Sequence, residues 1–85
     1  MPLHRYAALM DPALLSRITT DPAMCGGRPC IRGMRMRVRD VLELLASGAT
    51  IEEVLHDHPS LEREDVLAAI AYASQFVDHA VVRVA

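Results

Sequence analysis

The chain contains no lysine, although nine arginines are spread along its 85 residues. Arginine binds planar anions through a rigid guanidinium fork, whereas lysine acts as a flexible point charge. An all-arginine complement therefore suits specific docking against phosphates or carboxylates. A GC-rich genome would give the same bias without a structural cause, and on the sequence both explanations carry equal weight.

The chain also lacks a long apolar run. No window of 18 residues is apolar throughout, and residues 1–5 lead into no secretory signal peptide. We therefore expect no membrane contact and a cytoplasmic location.

Cysteine is scarce, with only Cys25 and Cys30. In a reducing compartment both are expected to be free thiols, with Cys30 serving as a small apolar residue of a strand. Their spacing matches no zinc half-site, and no second cysteine pair follows. The sequence therefore predicts neither a metal site nor another cofactor.

The net charge of −2 hides an uneven division along the chain. Residues 1–39 hold seven arginines and two aspartates, a net of +5, whereas residues 40–85 hold two arginines and nine acids, a net of −7. Apolar residues make up 52% of the chain, above the roughly 45–50% of an average domain. A small chain with surplus apolar surface commonly buries it against another subunit, so we expect a homodimer.

Apolar and basic side chains alternate strictly in one segment: Met34, Arg35, Met36, Arg37, Val38 and Arg39. Period two is typical of a strand with two unlike faces, so the three arginines would form a row on one face. Such a row favours an anionic partner, either nucleic-acid phosphates or protein carboxylates. We predict a strand over Cys30–Val38, paired across a Gly/Pro loop with a short strand over Ser16–Thr20.

From Val38 the apolar period changes to about 3.6, which predicts helices. A stripe from Val38 to Leu45 predicts a first helix, which ends at Gly48 as its C′ residue. Thr50 and Glu53 have the spacing of a capping box and predict the start of a short second helix before Pro59.

A third helix is predicted from about Glu62 to about His79. Its apolar residues fall in two rows, a core stripe of Val66, Ile70, Ala73 and Val77 and an adjacent row of Ala69, Tyr72 and Phe76. A helix with such wide apolar coverage contacts more than its own domain. The second row is therefore the candidate interface with a partner.

These elements predict a single domain over residues 1–85, of α+β class and mostly α. A β-element with a Gly/Pro loop at 16–38 precedes a three-helix part at 39–79 and a β-prone C-terminal tail at 80–85. The second and third helices are joined by about five residues, which is the outline of a helix-turn-helix.

An ordered series of motifs resembles domain-of-unknown-function family 433. The series is Gly26-Gly27-x-Pro29-x-Ile31-x-Gly33-x-Arg35, a helix ending at Gly48, Glu52-Glu53, Pro59, Glu64-Asp65-Val66 and Ala68-Ala69-x-Ala71-Tyr72-Ala73. The resemblance covers residues 16–74. It implies a VapB-type antitoxin-like protein with a helix-turn-helix fold, which neutralises a PIN-like ribonuclease toxin and represses its own operon by binding operator DNA.

Three residues depart from the family pattern. Met34 and Arg37 replace the usual Thr and Pro, and the loss of that Pro restores a backbone donor that favours a longer strand. Glu62 stands where the family often has an N-capping Thr, and glutamate is a poorer cap.

For DNA binding, the acidic start of the third helix is a difficulty, because its carboxylates would repel phosphates and only Arg63 would read a guanine. The arginine strand is the better contact surface. The candidate DNA- or anion-binding residues are Arg35, Arg37 and Arg39 first, with Arg28, Arg32 and Arg63 behind them.

Two alternatives use the same residues differently. In a toxin clamp, the arginines would face the acidic active site of a PIN-like nuclease, and Tyr72 and Phe76 would form a dimer or toxin interface. In the second alternative, the arginine face simply pairs with the acidic half of its own chain.

No set of cysteines, histidines and acids resembles a catalytic site, so we expect no enzyme. We therefore predict an antitoxin-like regulator, with a protein-interaction module that binds no DNA as the alternative.

Overall fold

The computed structural model describes residues 11–81, with side chains described to residue 77. Its elements in chain order are α1 (Pro12–Leu15), β1 (Ile18–Thr19), a 3-10 turn (Cys25–Gly27), β2 (Cys30–Ile31), α2 (Val38–Ala46), α3 (Ile51–Asp57) and α4 (Arg63–Val81). One short two-stranded sheet followed by three longer helices confirms the predicted α+β, mostly α class.

The two strands form the hairpin that the sequence predicts. β1 and β2 are antiparallel, with Ile18 opposite Ile31. The pairing of Ser16–Thr20 with the segment after the loop is therefore confirmed, over fewer residues than expected. The loop passes through the left-handed region at Gly26 and Gly27, with φ values of 64° and 78°. Glycine takes this conformation without the Cβ clash of other residues.

The predicted strand over Cys30–Val38 is wrong, because the chain reverses inside it. Arg32 and Gly33 take positive φ values of 44° and 70°. The returning segment then pairs with the outgoing one, and the amide of Ile31 donates to the carbonyl of Met36 at 2.9 Å. An alternation that looks like one strand is thus split by a tight turn.

The row of three arginines on one strand face is consequently also wrong. Arg35 lies in the turn, Arg37 forms an isolated antiparallel bridge and is the N-cap of α2, and Arg39 lies in the first turn of α2. The helix begins here because the Asp40 carboxylate accepts the backbone N–H of Arg37 at 3.1 Å. The backbone donor that Arg37 restores therefore serves a helix cap and not a longer strand.

α2 and α3 match their predicted limits. Gly48 follows the C-cap of α2 with a φ of 104°. Thr50 Oγ1 accepts the Glu53 N–H at 3.1 Å, and Glu53 Oε1 accepts the Thr50 N–H at 2.8 Å, which confirms the capping box. The inward faces carry Val41 and Val54, both fully buried.

The core lies between the hairpin and the three longer helices, and its buried members are Ile31, Val38, Val41, Val54, Leu61, Val66 and Ala69. On α4 the predicted core stripe holds at Val66 but not along its whole length. Ile70 and Val77 are 37% and 52% exposed, whereas Ala68 and Ala71 are buried. Small alanines let α4 pack closely against its neighbours, so the buried face is rotated from the one that side-chain size suggests.

α3 and α4 are joined by residues 58–62, which confirms the helix-turn-helix outline. α4 ends at Val81, so the first two residues of the predicted tail are helical, and residues 82–85 lie outside the described residues. Between residues 11 and 81, no helix combines the length and apolarity needed to cross a membrane.

Candidate functional site

A groove of about 360 Å³ lies between α2, α4 and the loop that precedes β2. Three of the residues that line it are arginines and six are apolar, namely Arg28, Arg37 and Arg39 with Pro29, Val38, Leu42, Tyr72, Ala73 and Phe76. Its volume is within the roughly 300–1,000 Å³ of typical ligand sites. The groove therefore has room for a few side chains of a partner, between an apolar floor and a basic rim.

The three rim arginines differ in what holds their guanidinium groups. Arg37 Nη2 donates to Asp40 Oδ1 at 3.0 Å, and this contact holds the pKa of Asp40 below its usual value. Arg39 Nε donates to Glu43 Oε2 at 3.1 Å, one turn along α2. The exposed Arg28 guanidinium makes no ion pair with any residue in the described part of the chain.

These differences decide which charges a ligand can reach. The Arg39–Glu43 pair is exposed on both sides, and such pairs contribute only about 0.3–0.5 kcal/mol on a helix. Arg37 is less available, because its partner Asp40 also caps α2. Arg28 is thus the most accessible cation of the rim, followed by Arg39.

The apolar wall opposite the rim is formed by two aromatic rings one turn apart on α4. Tyr72 and Phe76 meet edge to face, with ring centroids 5.1 Å apart and planes at 60°. Phe76 is 54% exposed, whereas Tyr72 is partly buried and packs against the core. An aromatic residue held in a fixed orientation and left half uncovered is typical of a protein-binding surface.

A second charged group lies at the start of α4 and is buried. Asp65 is fully buried and accepts Arg17 Nη1 at 2.9 Å and both Arg32 Nε and Arg32 Nη2 at 2.9 Å. It also accepts the backbone N–H of Glu62 at 2.8 Å, and Arg32 Nη2 donates to the carbonyl of Ser60. The Arg17–Asp65–Arg32 cluster therefore fastens the hairpin to the first turn of α4.

Burial alone would raise the pKa of Asp65, because it disfavours the charged carboxylate. The hydrogen bonds from Arg32, from the Glu62 amide and from Arg17 outweigh burial and hold the pKa below its usual value. Asp65 is therefore ionised in the folded protein, and its charge is compensated locally.

The remaining charges at the start of α4 are also engaged. Arg17 Nη1 donates to Glu62 Oε1 at 2.8 Å, and Arg63 Nη1 donates to Glu52 Oε2 on α3 at 3.0 Å. Glu64 is exposed beside them. The end of α4 that would enter a DNA groove in a helix-turn-helix thus presents carboxylates, with its one arginine already paired.

The structure brings some of the predicted site residues together and separates others. Arg28, Arg37 and Arg39 line the same groove as Tyr72 and Phe76, so the candidate anion site and the candidate interface are adjoining parts of one surface. The other three arginines lie elsewhere, since Arg32 binds Asp65, Arg35 is exposed in the turn after β2 and Arg63 binds Glu52.

One predicted interface residue is buried instead. Ala69 has no exposed surface and packs in the core, so its assignment to a partner-binding surface is wrong for the folded domain. The small size of Ala69 allows α4 to approach the core at this point.

Sequence reasoning missed two residues of the charged cluster, Arg17 and Asp65. Asp65 stands at the third position of α4, where a carboxylate commonly caps the helix by accepting the N-cap amide. That signal was available in the sequence. The burial of Asp65 by two arginines 48 and 33 residues distant had no local signal.

Cys25 and Cys30 are both free thiols, as predicted. Burial, with the nearby Cys25 thiol as a second cause, raises the pKa of Cys30 to about 11. Cys30 is therefore a protonated, buried apolar residue of β2. Within the described residues, no group of three or more His, Cys, Asp or Glu is arranged to hold a metal ion.

Comparison with known proteins gives consistent results. The family profile for DUF433, a protein of unknown function, matches residues 18–73. The uncharacterised protein y4eO of Sinorhizobium fredii is 39% identical over 76 residues, which are 86% of this chain and 34% of that protein. This chain thus spans about a third of the length of that relative.

A solved structure is also similar in fold. The crystal structure of a DUF433 member protein from Anabaena variabilis superposes with a TM-score of 0.69 at 31% identity. The alignment covers 93% of this chain and 80% of that chain.

Proposed function

The chain belongs to the DUF433 family, and on that premise we propose that it is an antitoxin-like protein that binds and neutralises a PIN-like ribonuclease. The observation that carries the proposal is the arginine-rimmed groove with its two aromatic rings. A nuclease of this class gathers carboxylates around a metal ion, and arginine forms strong, bidentate hydrogen bonds with carboxylates. The proposal assigns binding and no catalysis to the chain.

Electrostatics at the start of α4 favour a protein partner over DNA. A recognition helix contacts base edges through its N-terminal residues. Here those residues include exposed Glu64, and Arg63 is already paired with the Glu52 carboxylate on α3. These carboxylates would repel phosphates in the groove of DNA.

Binding to operator DNA, as a transcriptional autorepressor, is a second candidate function. It is favoured by the exposure of Arg28 and Arg35, neither of which forms an ion pair within residues 11–77, and by the weakly held Arg39. Three phosphate contacts from each subunit of a dimer would give a log–log salt slope of about −5.

The test of the proposed function is ribonuclease inhibition. Any PIN-like ribonuclease encoded beside the gene for this chain would be purified, and its cleavage of a labelled RNA measured against increasing concentrations of the chain. We expect stoichiometric inhibition and a complex that co-elutes in gel filtration. Unchanged cleavage with no complex at micromolar concentrations would contradict the proposal.

The test of the second candidate is fluorescence anisotropy on DNA from the chain's own upstream region, titrated with salt. Saturable binding with a log–log salt slope of about −5 would support an autorepressor. A slope of only about −1 would mean about one phosphate contact, which is too few for an autorepressor. Absence of binding at about 100 mM salt would remove DNA from the functions of the free chain.

A further inference from the structure

We propose that the groove binds a short acidic segment of a partner protein that carries one large apolar side chain. The apolar side chain packs against Tyr72 and Phe76, and a neighbouring carboxylate binds Arg28. This inference rests on the proposed function where the partner is the ribonuclease, but it names the chemistry of recognition and can be tested without that enzyme.

The apolar part of the segment is required by the groove's floor and wall. Phe76 is 54% exposed beside the lining side chains of Val38 and Leu42. Covering such a ring removes apolar surface from water, and fixed aromatic residues are frequent centres of binding energy in interfaces. The edge-to-face contact with Tyr72 already holds the ring in place, so little side-chain freedom is lost on binding.

The acidic part is required by the rim. All three charged residues that line the groove are arginines, which makes its border basic. Arg37 and Arg39 already bind Asp40 and Glu43, so an incoming carboxylate finds its open partner at Arg28. The guanidinium fork of Arg28 can then hold both oxygens of an Asp or Glu side chain.

The same observations favour a protein segment over a nucleic acid. Six of the nine lining residues are apolar. A nucleic-acid backbone needs a track of cations for successive phosphates. Two of the three arginines here are already paired with Asp40 and Glu43, so the groove offers one open arginine and no track for successive phosphates.

The chain offers a matched control for each half of the proposal. Val77 is 52% exposed and follows Phe76 directly on α4, but it does not line the groove. Arg35 is exposed and, like Arg28, forms no ion pair within the described residues, and it also lies outside the groove. Arg28→Ala against Arg35→Ala therefore compares the same change inside and outside the site, and Phe76→Ala against Val77→Ala compares the truncation of an exposed apolar side chain inside and outside it.

The experiment begins with a phage-displayed library of random short peptides, selected on the wild-type chain with depletion only on the bare support. The enriched peptide is then synthesised with a fluorescent label, and its Kd is measured by anisotropy on the wild type and the four variants. Circular dichroism and thermal unfolding confirm that each variant is folded, which is expected because all four positions are exposed.

The expected consensus is an aromatic or large aliphatic residue next to Asp or Glu. We expect Phe76→Ala to weaken binding about tenfold or more and Arg28→Ala about fivefold. Val77→Ala and Arg35→Ala should stay within about twofold of the wild type.

Several outcomes would overturn the inference. They are no enrichment, a basic or uncharged consensus, and an equal effect of the inside and outside substitutions. If no peptide is enriched, and a labelled single-stranded oligonucleotide binds the wild type but not Arg28→Ala or Phe76→Ala, the ligand of the groove is a nucleic acid. Loss of self-association in Phe76→Ala, again with no peptide enriched, would make it a second copy of this chain.

The ribonuclease assay separates this inference from the proposed function. If the wild type, Phe76→Ala and Arg28→Ala inhibit the ribonuclease equally, the antitoxin function stands and the groove is not its binding site. If the acidic peptide binds as expected but no ribonuclease is inhibited, the groove's chemistry stands and the antitoxin function fails.

Discussion

Two groups of arginines in this protein differ in burial and in partner, although all four residues come from the same basic half of the sequence. Arg17 and Arg32 enclose the fully buried Asp65, with side chains 27% and 36% exposed. Arg28 and Arg39 lie on the rim of an open groove, and the Arg39 side chain is 67% exposed. The first group joins the hairpin to α4, whereas the second is available to a ligand.

The comparison shows that the number of arginines overstates the free positive charge. Among residues 11–77, five arginines bind carboxylates, and every one of those carboxylates lies in residues 40–85. The alternative in which the basic half pairs with the acidic half of its own chain is therefore confirmed for four of these five, because Arg63 itself lies in the acidic half. Only Arg28 and Arg35 stay without such a partner in the part that the structure describes.

The largest expected effect is on the buried group. Asp65→Asn leaves Arg32 without a carboxylate and Arg17 with only the exposed Glu62, and removing one partner of a buried pair costs about 3 kcal/mol or more. We expect the free energy of unfolding, measured in urea, to fall by about that amount and the Tm by roughly 12–24 °C.

Glu64→Gln is the control for this prediction, because Glu64 is the exposed neighbour of Asp65. It should change the free energy of unfolding by less than about 0.5 kcal/mol. Equal stability of the two variants would mean that the buried cluster contributes nothing to the fold.

A smaller effect is expected from acid. The pKa of Asp65 and of Asp40 is lowered in the folded protein, whereas an unfolded aspartate titrates near about 3.9. The unfolded chain therefore takes up protons first, so both stabilising contributions are complete above about pH 5 and are lost as the pH falls below about 4. Urea unfolding at a series of pH values measures this loss.

The same series on Asp65→Asn sharpens the assignment. The stability difference between wild type and variant should shrink as the pH falls, because a protonated Asp65 carboxyl is uncharged, like the amide that replaces it in the variant. A difference that stays constant from neutral to acidic pH would show that Asp65 is not ionised in the fold.

The smallest effect on stability is expected at the rim. Arg28→Ala and Arg39→Ala together should change the free energy of unfolding by less than about 0.5 kcal/mol, because exposed pairs contribute little. Thermal unfolding of the double variant measures this. A loss of several kcal/mol would mean that Arg28 and Arg39 stabilise the fold as Arg17 and Arg32 do. It would contradict the division of the arginines into two groups.

Much of the helical part follows from local signals in the sequence. Thr50 and Glu53 bond reciprocally as their spacing predicts, and Gly48 ends α2 in the left-handed conformation. The hairpin also follows, since its strands are separated by a loop of glycines and proline that no helix tolerates. These features depend on residues within a few positions of one another.

The segment around Gly33 shows why local reasoning failed elsewhere. The alternation of Met and Arg predicts one strand, but Gly33 lies within that strand, where glycine commonly marks a break. A single carboxylate, Asp40, then decides the start of α2 by accepting the Arg37 amide. The Met/Arg alternation, which predicts one strand with an arginine face, thus falls on a turn and the start of α2.

The groove was only half predictable. The sequence predicts five of the groove residues as candidate site residues, namely Arg28, Arg37, Arg39, Tyr72 and Phe76. Whether these side chains line one groove depends on how α4 crosses α2. That crossing is set by buried alanines and by Asp65, which carry no clear apolar periodicity. The sequence therefore predicted the residues, and only the fold shows that they share a surface.

The reach of the Asp65 contacts along the chain has a consequence for folding during synthesis. Asp65 is made 48 residues after Arg17 and 33 residues after Arg32. Because a nascent chain emerges N-terminus first, the hairpin leaves the ribosome before the Asp65 carboxylate does. Within the hairpin the Arg32 amide already donates to the Arg17 carbonyl at 2.7 Å, but both guanidinium groups still lack the Asp65 carboxylate. The Arg17–Asp65–Arg32 cluster can therefore form only after the first turn of α4 has been made, so the hairpin is fastened to α4 late in synthesis.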